Sequence, residues 1–438
     1  MPSRISFMLR ALSYRNYRLF FGGQIVSLIG SWMTMTATSW LVYRLTGSAL
    51  LLGVVGFAGQ FPGFVMGPFA GAYVDRWDRH KLLVGTQVIS MLQSFALAGL
   101  MLTGHITVTA VILLNAVQGV VNAFDMPGRQ AFLVTMIEDK EDLSNAIALN
   151  SSMFNAARLI GPSIAGLVIA WSGEGWCFLI DGFSYFAVIV ALLMMRGVRK
   201  THRRAHSATV LTQFKEGLSY VTGFRPIRSL MTLLALVSLL GMPYAVLMPV
   251  FANDVLHGGP HTLGFLMTAS GCGALAGALW LAGRKSVVGL GRVILIATTT
   301  FSLALVAFSF SRHLWLSLIF MTFVGSGMMV QMASSNTVIQ TIVDDEKRGR
   351  VMSFYTMCFL GTAPFGSLLA GALSARIGAP HTVLLSGILC AAAAVWFRQE
   401  LPEIRSVVRP IYVRMGILPQ MATGLQSAAQ LMTPPEQE

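Results

Sequence analysis

Several charged residues stand close together in the segment GAYVDRWDRHKLL, which joins two long apolar runs. Asp75, Arg76, Arg79 and Lys81 fall in and beside a break of only a few residues. Basic residues in such a break hold it on the cytoplasmic side of a membrane during insertion. An acid at a helix end is stabilised by facing the positive N-terminus of another helix. Asp75 therefore predicts a contact between helices, and the alternative is an ordinary basic loop.

A second charged pair lies inside an apolar run. Asp125 and Arg129 are four residues apart, so they share one helical face and can form an ion pair. Charge at membrane depth is costly and usually faces a bundle interior or a cavity. Pro127, between them, favours a kink. The pair predicts a charge relay or a gate, and the alternative is that the helix ends sooner and both charges are interfacial.

Two further charges are isolated in apolar surroundings. Arg158 stands near the middle of a run and needs an acceptor or water. It is predicted either to contact a substrate or ion, or to form a structural ion pair, for which Asp125 is the nearest acid in depth. Asp181 lies about five residues into the next run. It either changes its protonation state as part of the protein's function or, as we expect, is a solvated interfacial acid.

The elements that must position these charges are long apolar helices. The 438 residues are 55% hydrophobic and 11% charged, whereas soluble domains carry about 25% charged residues. A membrane-spanning helix needs about 20 mainly apolar residues. Twelve segments meet that need: 17–43, 49–74, 82–103, 107–134, 144–171, 176–195, 229–251, 261–283, 288–310, 313–342, 350–375 and 379–398. The chain is predicted to be an all-α membrane protein, and we refer to these segments as spans 1 to 12.

The net charge of +13 is explained by membrane topology rather than by nucleic-acid binding. With the N-terminus inside, 26 of the 31 Lys and Arg residues fall on the cytoplasmic side and 3 on the outer side. Because basic residues remain cytoplasmic during insertion, both termini are predicted to be cytoplasmic, in a bacterial plasma membrane. No nucleic-acid partner is expected. The first apolar run continues into a second, so no cleavable signal peptide is expected.

The spans fall into two similar sets of six. The motif at 161–166 matches the one at 366–371, 205 residues later, and two other pairs match at an offset of 206. A parallel repeat of this kind occurs in some transporter folds. We therefore predict two pseudo-symmetric six-helix bundles, at 1–195 and 229–400. A cytoplasmic linker at 196–228 contains an amphipathic helix over 212–224, and a partly disordered cytoplasmic tail occupies 401–438.

Nothing in the sequence predicts enzyme chemistry. There is no GxxxxGK[ST] loop for a nucleotide, and the eight histidines are scattered. The four cysteines all fall in spans without metal-ligand spacing, as small core residues do. No cofactor and no metal site is predicted.

At this point the sequence resembles a known family, the major facilitator superfamily. Its signature between spans 2 and 3, G-x-x-x-D-R-x-G-R-[RK], is matched by Gly71, Asp75, Arg76, Arg79 and Lys81, with the last basic position shifted by one. Asp78 replaces the second glycine. The resemblance implies that Asp75 docks on span 11 and latches the halves while the outer gate is open. Arg79 and Asp125 would complete a charge relay. The corresponding loop 8–9 lacks the acid, which implies a one-sided latch.

Other motifs place the resemblance in one branch of that superfamily. Segments NAFDMPGRQAF, LSNAIALNSSMFNAARLIGP and DDEKRGRVMSFYTM are similar to siderophore exporters of the enterobactin type and to macrolide-efflux-like pumps. Span 5 resembles the antiporter motif G-P-x-x-G-G of drug exporters, through Gly161, Pro162, Ala165 and Gly166, with Ala165 in place of one glycine. That motif implies export, and the alternative is simple helix packing. Asn115 stands where such exporters often carry a proton-coupling arginine, a role that Arg158 could take over.

The resemblance also implies which helices line the substrate cavity. Spans 1, 4, 7 and 10 would do so. The polar and aromatic candidates on them are Gln24, Trp32, Asn115, Gln118, Asn122, Tyr244, Met328 and Gln331. A mainly apolar wall with a few amides suits an amphipathic or aromatic cargo. Glycines at 63, 67 and 71 and at 273 and 277 form small-residue stripes, which we expect where the halves slide past each other.

The expected function is therefore secondary active transport. The chain is predicted to export a small amphipathic molecule of the drug or siderophore class by alternating access. It would act as a monomer, with a proton as the coupling ion. The rival interpretations are an importer or a lysophospholipid flippase of the same fold, and a membrane sensor or partner-binding protein that transports nothing.

Overall fold

The structure is a computed structural model that describes residues 9–196, 210–284 and 286–417. Within helices, it leaves undescribed the side chains of residues 68, 69, 71, 72, 75, 76, 140, 210–216 and 345. The described residues contain no strand. Twelve helices among them are long and apolar enough to cross a membrane. The predicted all-α fold with twelve spans is confirmed.

The spans of the first half are unbroken α-helices. Their bounds are Arg15–Thr46, Ala49–Arg76, Arg79–Leu102, Val108–Met136, Lys140–Ser172 and Glu174–Leu193. A short 3-10 turn, Arg10–Ser13, precedes span 1. The linker contains the expected helix, at Val210–Gly223.

The second half is less regular. Span 7 begins at Arg225 and includes π-helical turns at Val237–Gly241 and Phe251–Val255. Span 11 runs from Asp345 to Ile377 with a third π-helical turn at Met357–Gly361. Spans 8, 9, 10 and 12 are Pro260–Ala282, Leu290–Phe310, Leu314–Ile342 and Ala379–Arg414.

The structure moves two of the predicted domain boundaries. Span 7 starts at Arg225, so it takes in the last residues assigned to the linker. Span 12 does not stop near residue 400 but continues as a helix to Arg414. Leu401, Ile404 and Val408 are buried in this extension, and burial of that apolar face stabilises a helix where a disordered tail was expected.

Side-chain caps and glycines set the helix ends. Ser48 and Thr107 accept hydrogen bonds from the backbone N–H groups of the first turns of spans 2 and 4, which satisfies donors that have no partner within the helix. Gly173 joins spans 5 and 6 at φ 85°, and Gly378 joins spans 11 and 12 at φ 82°. These matched glycines with positive φ, 205 residues apart, reproduce the sequence repeat in the backbone.

The helices pack as two bundles of six with the same internal pairing. Span 2 packs against span 4, span 3 against span 6, and span 1 against spans 5 and 6. The equivalent pairs in the second half are spans 8 and 10, spans 9 and 12, and spans 7 and 12. Between the halves, span 5 packs on span 8 and span 2 on span 11. We use "linker face" for the side on which span 1 begins and the linker helix lies, and "opposite face" for the other.

Glycines allow very close contact between the halves near the opposite face. A Cβ added to Gly53 would lie 2.6 Å from the Ser367 carbonyl oxygen and 3.0 Å from the Gly371 Cα. A Cβ on Gly264 would lie 2.6 Å from the Pro162 carbonyl oxygen and 3.2 Å from the Gly166 Cα. Both seams therefore bring backbone directly onto backbone, which only small residues permit.

The glycine stripes at 63 and 67 and at 273 and 277 do not lie in the contact between the two halves, where we expected them. Gly63 and Gly67 have no neighbouring atom within 4 Å of an added Cβ. A Cβ on Gly277 would meet Ser326 and Val330 of span 10, within its own half, and Gly273 likewise faces span 10. Spacing of four marks one face of a helix, but it does not indicate which neighbour that face meets.

The linker helix belongs to the second half. A Cβ on Gly217 would lie 2.6 Å from the Phe354 ring of span 11, and the Lys347 ammonium lies 4.6 Å from the centroid of the Tyr220 ring. On the same face, Arg225 at the start of span 7 pairs with Glu400 and Glu403 of span 12.

Candidate functional site

Span 5 exposes two opposite faces of different chemistry. Ile160, Ile164, Leu167 and Trp171 are exposed at intervals of three and four residues, and this stripe is wholly apolar. Ser144, Ile147, Ser151 and Phe154 form a second exposed stripe that leads to the half-buried Arg158. At about 100° per residue the stripes lie about 150° apart. The apolar stripe suits lipid, and the mixed stripe suits a water-accessible cavity.

Arg158 lies at the closed end of the mixed stripe. Its guanidinium carbon is 5.9 Å from the centroid of the Trp32 ring on span 1, and the rings of Trp32 and Phe154 meet edge to face at 5.9 Å. No carboxylate among the described residues forms an ion pair with Arg158, and the expected partner Asp125 is occupied elsewhere. The structural ion pair predicted as one alternative for Arg158 is therefore not formed with Asp125.

The antiporter-like motif closes the space beyond Arg158. A Cβ on Gly161 would lie 2.5 Å from the Trp32 Cβ, so only glycine at position 161 leaves room for the Trp32 side chain of span 1. Ala165 and Gly166 are buried, and Gly166 packs on span 8. Pro162 has no N–H to donate to the carbonyl of Arg158, four residues earlier.

Span 4 has the same two-faced character. Leu113 and Val117 are exposed on an apolar face, 61% and 43% respectively. The predicted cavity residues Asn115, Gln118 and Asn122 lie on the opposite face and are half-buried or exposed. Gln118 donates to Asn122 Oδ1 at 3.1 Å and to Ser90 Oγ at 3.1 Å, which makes a polar ladder along this wall.

The remaining predicted cavity residues are buried in this conformation. Gln24, Tyr244, Met328 and Gln331 are each 6% exposed or less. The hydroxyl of Tyr244 lies 2.9 Å from the Ser270 hydroxyl. Gln24 Oε1 and Gln331 Nε2 are buried without a hydrogen-bond partner among the described residues. Half of the predicted wall therefore does not line open surface here, whereas Trp32 is half-buried beside Arg158.

Asp125 and Arg129 form the predicted ion pair inside span 4. Asp125 is 2% exposed, and its Oδ1 also accepts hydrogen bonds from Thr86 Oγ1 at 2.9 Å and Gln87 Nε2 at 2.8 Å of span 3. The alternative of two interfacial charges is wrong for Asp125. Its carboxylate holds spans 3 and 4 together, and only Arg129 reaches towards the cavity face.

The loop signature between spans 2 and 3 is described in part. Gly71, Asp75 and Arg76 lie in the last turns of span 2, but the structure does not describe them beyond the backbone. The latch expected between Asp75 and span 11 therefore lies outside the described residues. Arg79 donates to the carbonyl of Ala131 at 3.2 Å, and Lys81 is exposed.

Asp78, which replaces a glycine of the family signature, has a clear structural role. It caps span 3, since its carboxylate accepts from the backbone N–H groups of His80 and Lys81 at 3.0 and 3.3 Å. The acid that Asp78 adds to this turn therefore caps the N-terminus of span 3.

Asp181 is not the solvated interfacial acid that we expected. It is 1% exposed, because span 6 begins at Glu174 and places it two turns inside the bundle. Its carboxylate accepts from Ser94 Oγ at 2.8 Å and Ser184 Oγ at 3.3 Å. A Cβ on Gly30 of span 1 would lie 2.7 Å from Asp181 Oδ1. Asp181 is therefore a buried acid surrounded by hydroxyls, without a described cationic partner.

One link between the halves was missed by the sequence reasoning. The hydroxyl of Tyr43, near the end of span 1, donates to Asp254 in a π-helical turn of span 7. The neighbouring Arg44 binds Glu174 of span 6 within its own half, at 2.7 Å. The residues of the first pair are 211 positions apart, so no local pattern joins them.

The described residues contain no group of three or more metal-ligating side chains placed to hold an ion. Cys177 and Cys390 are buried as expected, but Cys272 is exposed.

Comparison with known proteins gives consistent matches along almost the whole chain. A family model described as transmembrane secretion effector matches residues 8–413. The staphyloferrin A transporter of Staphylococcus aureus is 26% identical over 383 residues, 87% of this chain and 95% of the relative. The multidrug efflux pump Tap of Mycolicibacterium fortuitum is 29% identical over 390 residues, 86% and 93% of the two chains. Macrolide efflux protein A of Streptococcus pyogenes is 25% identical over 395 residues, 87% and 96%.

Solved structures share the fold at low sequence identity. A bacterial homologue of the human lysosomal transporter Spinster, in an inward-facing and unoccupied conformation, superposes with a TM-score of 0.69 at 13% identity. The match covers 90% of this chain and 98% of that one. A peptide transporter superposes with a TM-score of 0.71 at 11% identity, over 89% and 94% of the two chains.

Proposed function

The chain belongs to the transmembrane secretion effector family, in the drug and siderophore exporter branch of the major facilitator superfamily, and from that premise we propose that it exports a small amphipathic molecule in exchange for protons. It is a transporter and not an enzyme. Export, the proton as coupling ion, the substrate class and a monomeric working unit are the parts that we propose.

One observation carries the proposal. The two halves meet backbone to backbone near the opposite face, at Gly53 with Gly371 and at Gly166 with Gly264. The mixed stripe of span 5, from Ser144 to Phe154, is exposed in the half of that helix near the linker face, and the polar residues of span 4 reach mid-height at Asn122. A pathway sealed at one end and lined by polar groups at the other is one state of an alternating-access cycle. In the other state these seams would part.

The direction follows if the linker face is cytoplasmic. The excess of Lys and Arg in the loops of that face supports this orientation, with both termini inside a bacterial plasma membrane. The state described by the structure would then receive its cargo from the cytoplasm. The names of the relatives as efflux pumps support release on the outer side.

Roles follow for the charged residues. Arg158 contacts the cargo at mid-height, and Asp125 with Arg129 joins spans 3 and 4 at the inner gate, where Asp75 and Arg79 latch the halves in the other state. Asp181, a carboxylate among hydroxyls inside the first half, is suited to accept and release the coupling proton.

The experiment uses everted membrane vesicles from cells that overproduce the protein, whose lumen is acidified by ATP hydrolysis. The probes are radiolabelled erythromycin and 4-(1-pyrenyl)butyrate. We expect at least one probe to accumulate in the lumen, to leave after collapse of the pH gradient with nigericin, and to raise the luminal pH as it enters. Vesicles without the protein serve as the control.

Each rival interpretation gives a different result. An importer would load right-side-out vesicles and not everted ones. A lysophospholipid flippase would move a fluorescent lysophospholipid between leaflets and leave both probes outside. A sensor or partner-binding protein would move none of the three, and that result would refute transport.

A further inference from the structure

Among the described basic side chains of the proposed pathway, Arg158 is the one that forms no ion pair with a carboxylate. Arg129 is neutralised by Asp125, and at the opposite face Arg44 is neutralised by Glu174. Arg158 lies close to the middle of the 33-residue span 5, where an uncompensated charge is costly and is normally satisfied by water or by a bound partner. The unpaired guanidinium therefore favours the arrival of a negative charge.

The surroundings of Arg158 fit an aromatic or broad apolar group next to that charge. The indole of Trp32 lies against the guanidinium, and Phe154, one turn away on the same face, is 40% exposed. Together the two rings, in edge contact, present an apolar wall beside a single cation. Gly161 leaves room for this wall, because any side chain there would displace Trp32.

From this geometry we infer that Arg158, Trp32 and Phe154 form a recognition site for a monoanionic amphipathic cargo, with its carboxylate on the guanidinium and its apolar body on the two rings. This inference rests on the proposed transport function and names the substrate class. The planar guanidinium offers two parallel N–H groups to a carboxylate. A phosphate monoester carries close to two charges, and a single arginine would leave one of them unpaired at membrane depth.

The test compares two probes that differ only in their terminal group, which is charged in one and neutral in the other. 4-(1-Pyrenyl)butyrate carries a carboxylate and 4-(1-pyrenyl)butanol a hydroxyl on the same aromatic frame. Binding is measured by equilibrium dialysis against the purified full chain in phosphatidylcholine nanodiscs, with empty nanodiscs subtracted. We expect the wild-type protein to bind the butyrate at least tenfold more tightly than the butanol, since charge-assisted hydrogen bonds supply the difference.

Variants identify the side chains responsible. Arg158→Gln is expected to weaken butyrate binding between about 10- and 100-fold and to leave butanol binding within about twofold. Arg158→Lys keeps the charge and should recover part of the preference. Trp32→Ala should weaken the binding of both probes to the same extent. Arg312→Gln, in an exposed loop, is the matched control and should behave like the wild type. Monodisperse elution of each variant shows that it folds.

Several results would overturn the assignment. One is equally tight binding of the two probes by the wild type. Another is that Arg158→Gln binds neither probe although the variant remains monodisperse. Displacement of the butyrate when phosphatidylglycerol enters the nanodisc would assign the guanidinium to a lipid phosphate instead of a solute carboxylate. Because binding needs no gradient, vesicles that transport nothing would refute export while charge-selective binding still supported the site.

Discussion

Replacing Gly53 with alanine should open the contact between the halves near the opposite face, and Gly63 on the same helix provides a matched control. The added Cβ at position 53 would lie 2.6 Å from a carbonyl oxygen and 3.0 Å from a Cα of span 11. Both neighbours are backbone, so they cannot rotate away, and the halves must separate by several tenths of an ångström. At Gly63 nothing lies within 4 Å of the added Cβ.

The expected size follows from overpacking. Forcing a methyl group into a closely packed contact costs about 1–3 kcal/mol. The gain in helix propensity from Gly→Ala, about 1 kcal/mol, applies to both conformations because span 2 remains a helix in each. It therefore cancels from the equilibrium between them. Gly53→Ala should shift that equilibrium towards the state that is open at the opposite face roughly 5- to 150-fold, and Gly63→Ala should not shift it.

The assay is the distance between spin labels on the two halves at the opposite face. Cysteines at His105 and His313, both in exposed loops, carry the labels in a background without native cysteines. The short-distance population should dominate in the wild type and in Gly63→Ala, and a longer distance should appear in Gly53→Ala. Identical distributions for both alanine variants would refute the view that Gly53 seals the seam.

Three further predictions concern buried polar contacts. Tyr43→Phe removes the hydrogen bond to Asp254 and should favour opening by about 1 kcal/mol; an unchanged label distance would contradict a locking role. Arg129→Met leaves Asp125 buried and unpaired, so it should destabilise the fold by about 3–5 kcal/mol, seen as a lower melting temperature. The double variant with Asp125→Asn should recover most of this, and a double variant no more stable than the single one would disprove the pairing argument. Asp181→Asn should retain substrate binding but abolish the change of luminal pH that accompanies transport, and persistence of that change would place the coupling proton elsewhere.

The spans could be predicted because the lipid imposes a length and an apolar composition that are visible locally. The Asp125–Arg129 pair was predictable for a similar reason, since both residues lie on one helix and four positions apart fixes their geometry. The linker helix was found from its mixed composition between two apolar runs. Its side-chain contacts with Phe354 and Tyr220 were not.

Contacts between distant helices could not be read from local patterns. The glycine stripe at 63 and 67 was as regular as any other, yet Gly53 forms the seam, because the packing of the two halves decides which turn of span 2 meets span 11. Asp181 was placed at the interface because the start of span 6 was set two residues too late and because one of its hydroxyl partners, Ser94, lies on span 3. The link between Tyr43 and Asp254 depends on how the halves meet, which no single stretch of sequence records.

The three π-helical turns carry a consequence for how the two bundles can move. All of those in the described residues lie in spans 7 and 11, whereas spans 1 and 5, their counterparts in the first half, are unbroken α-helices. A π-helical turn interrupts the regular hydrogen-bond ladder and is a common point of bending. We therefore expect the first bundle to move as a rigid body, while helices of the second bundle bend as the transporter changes conformation.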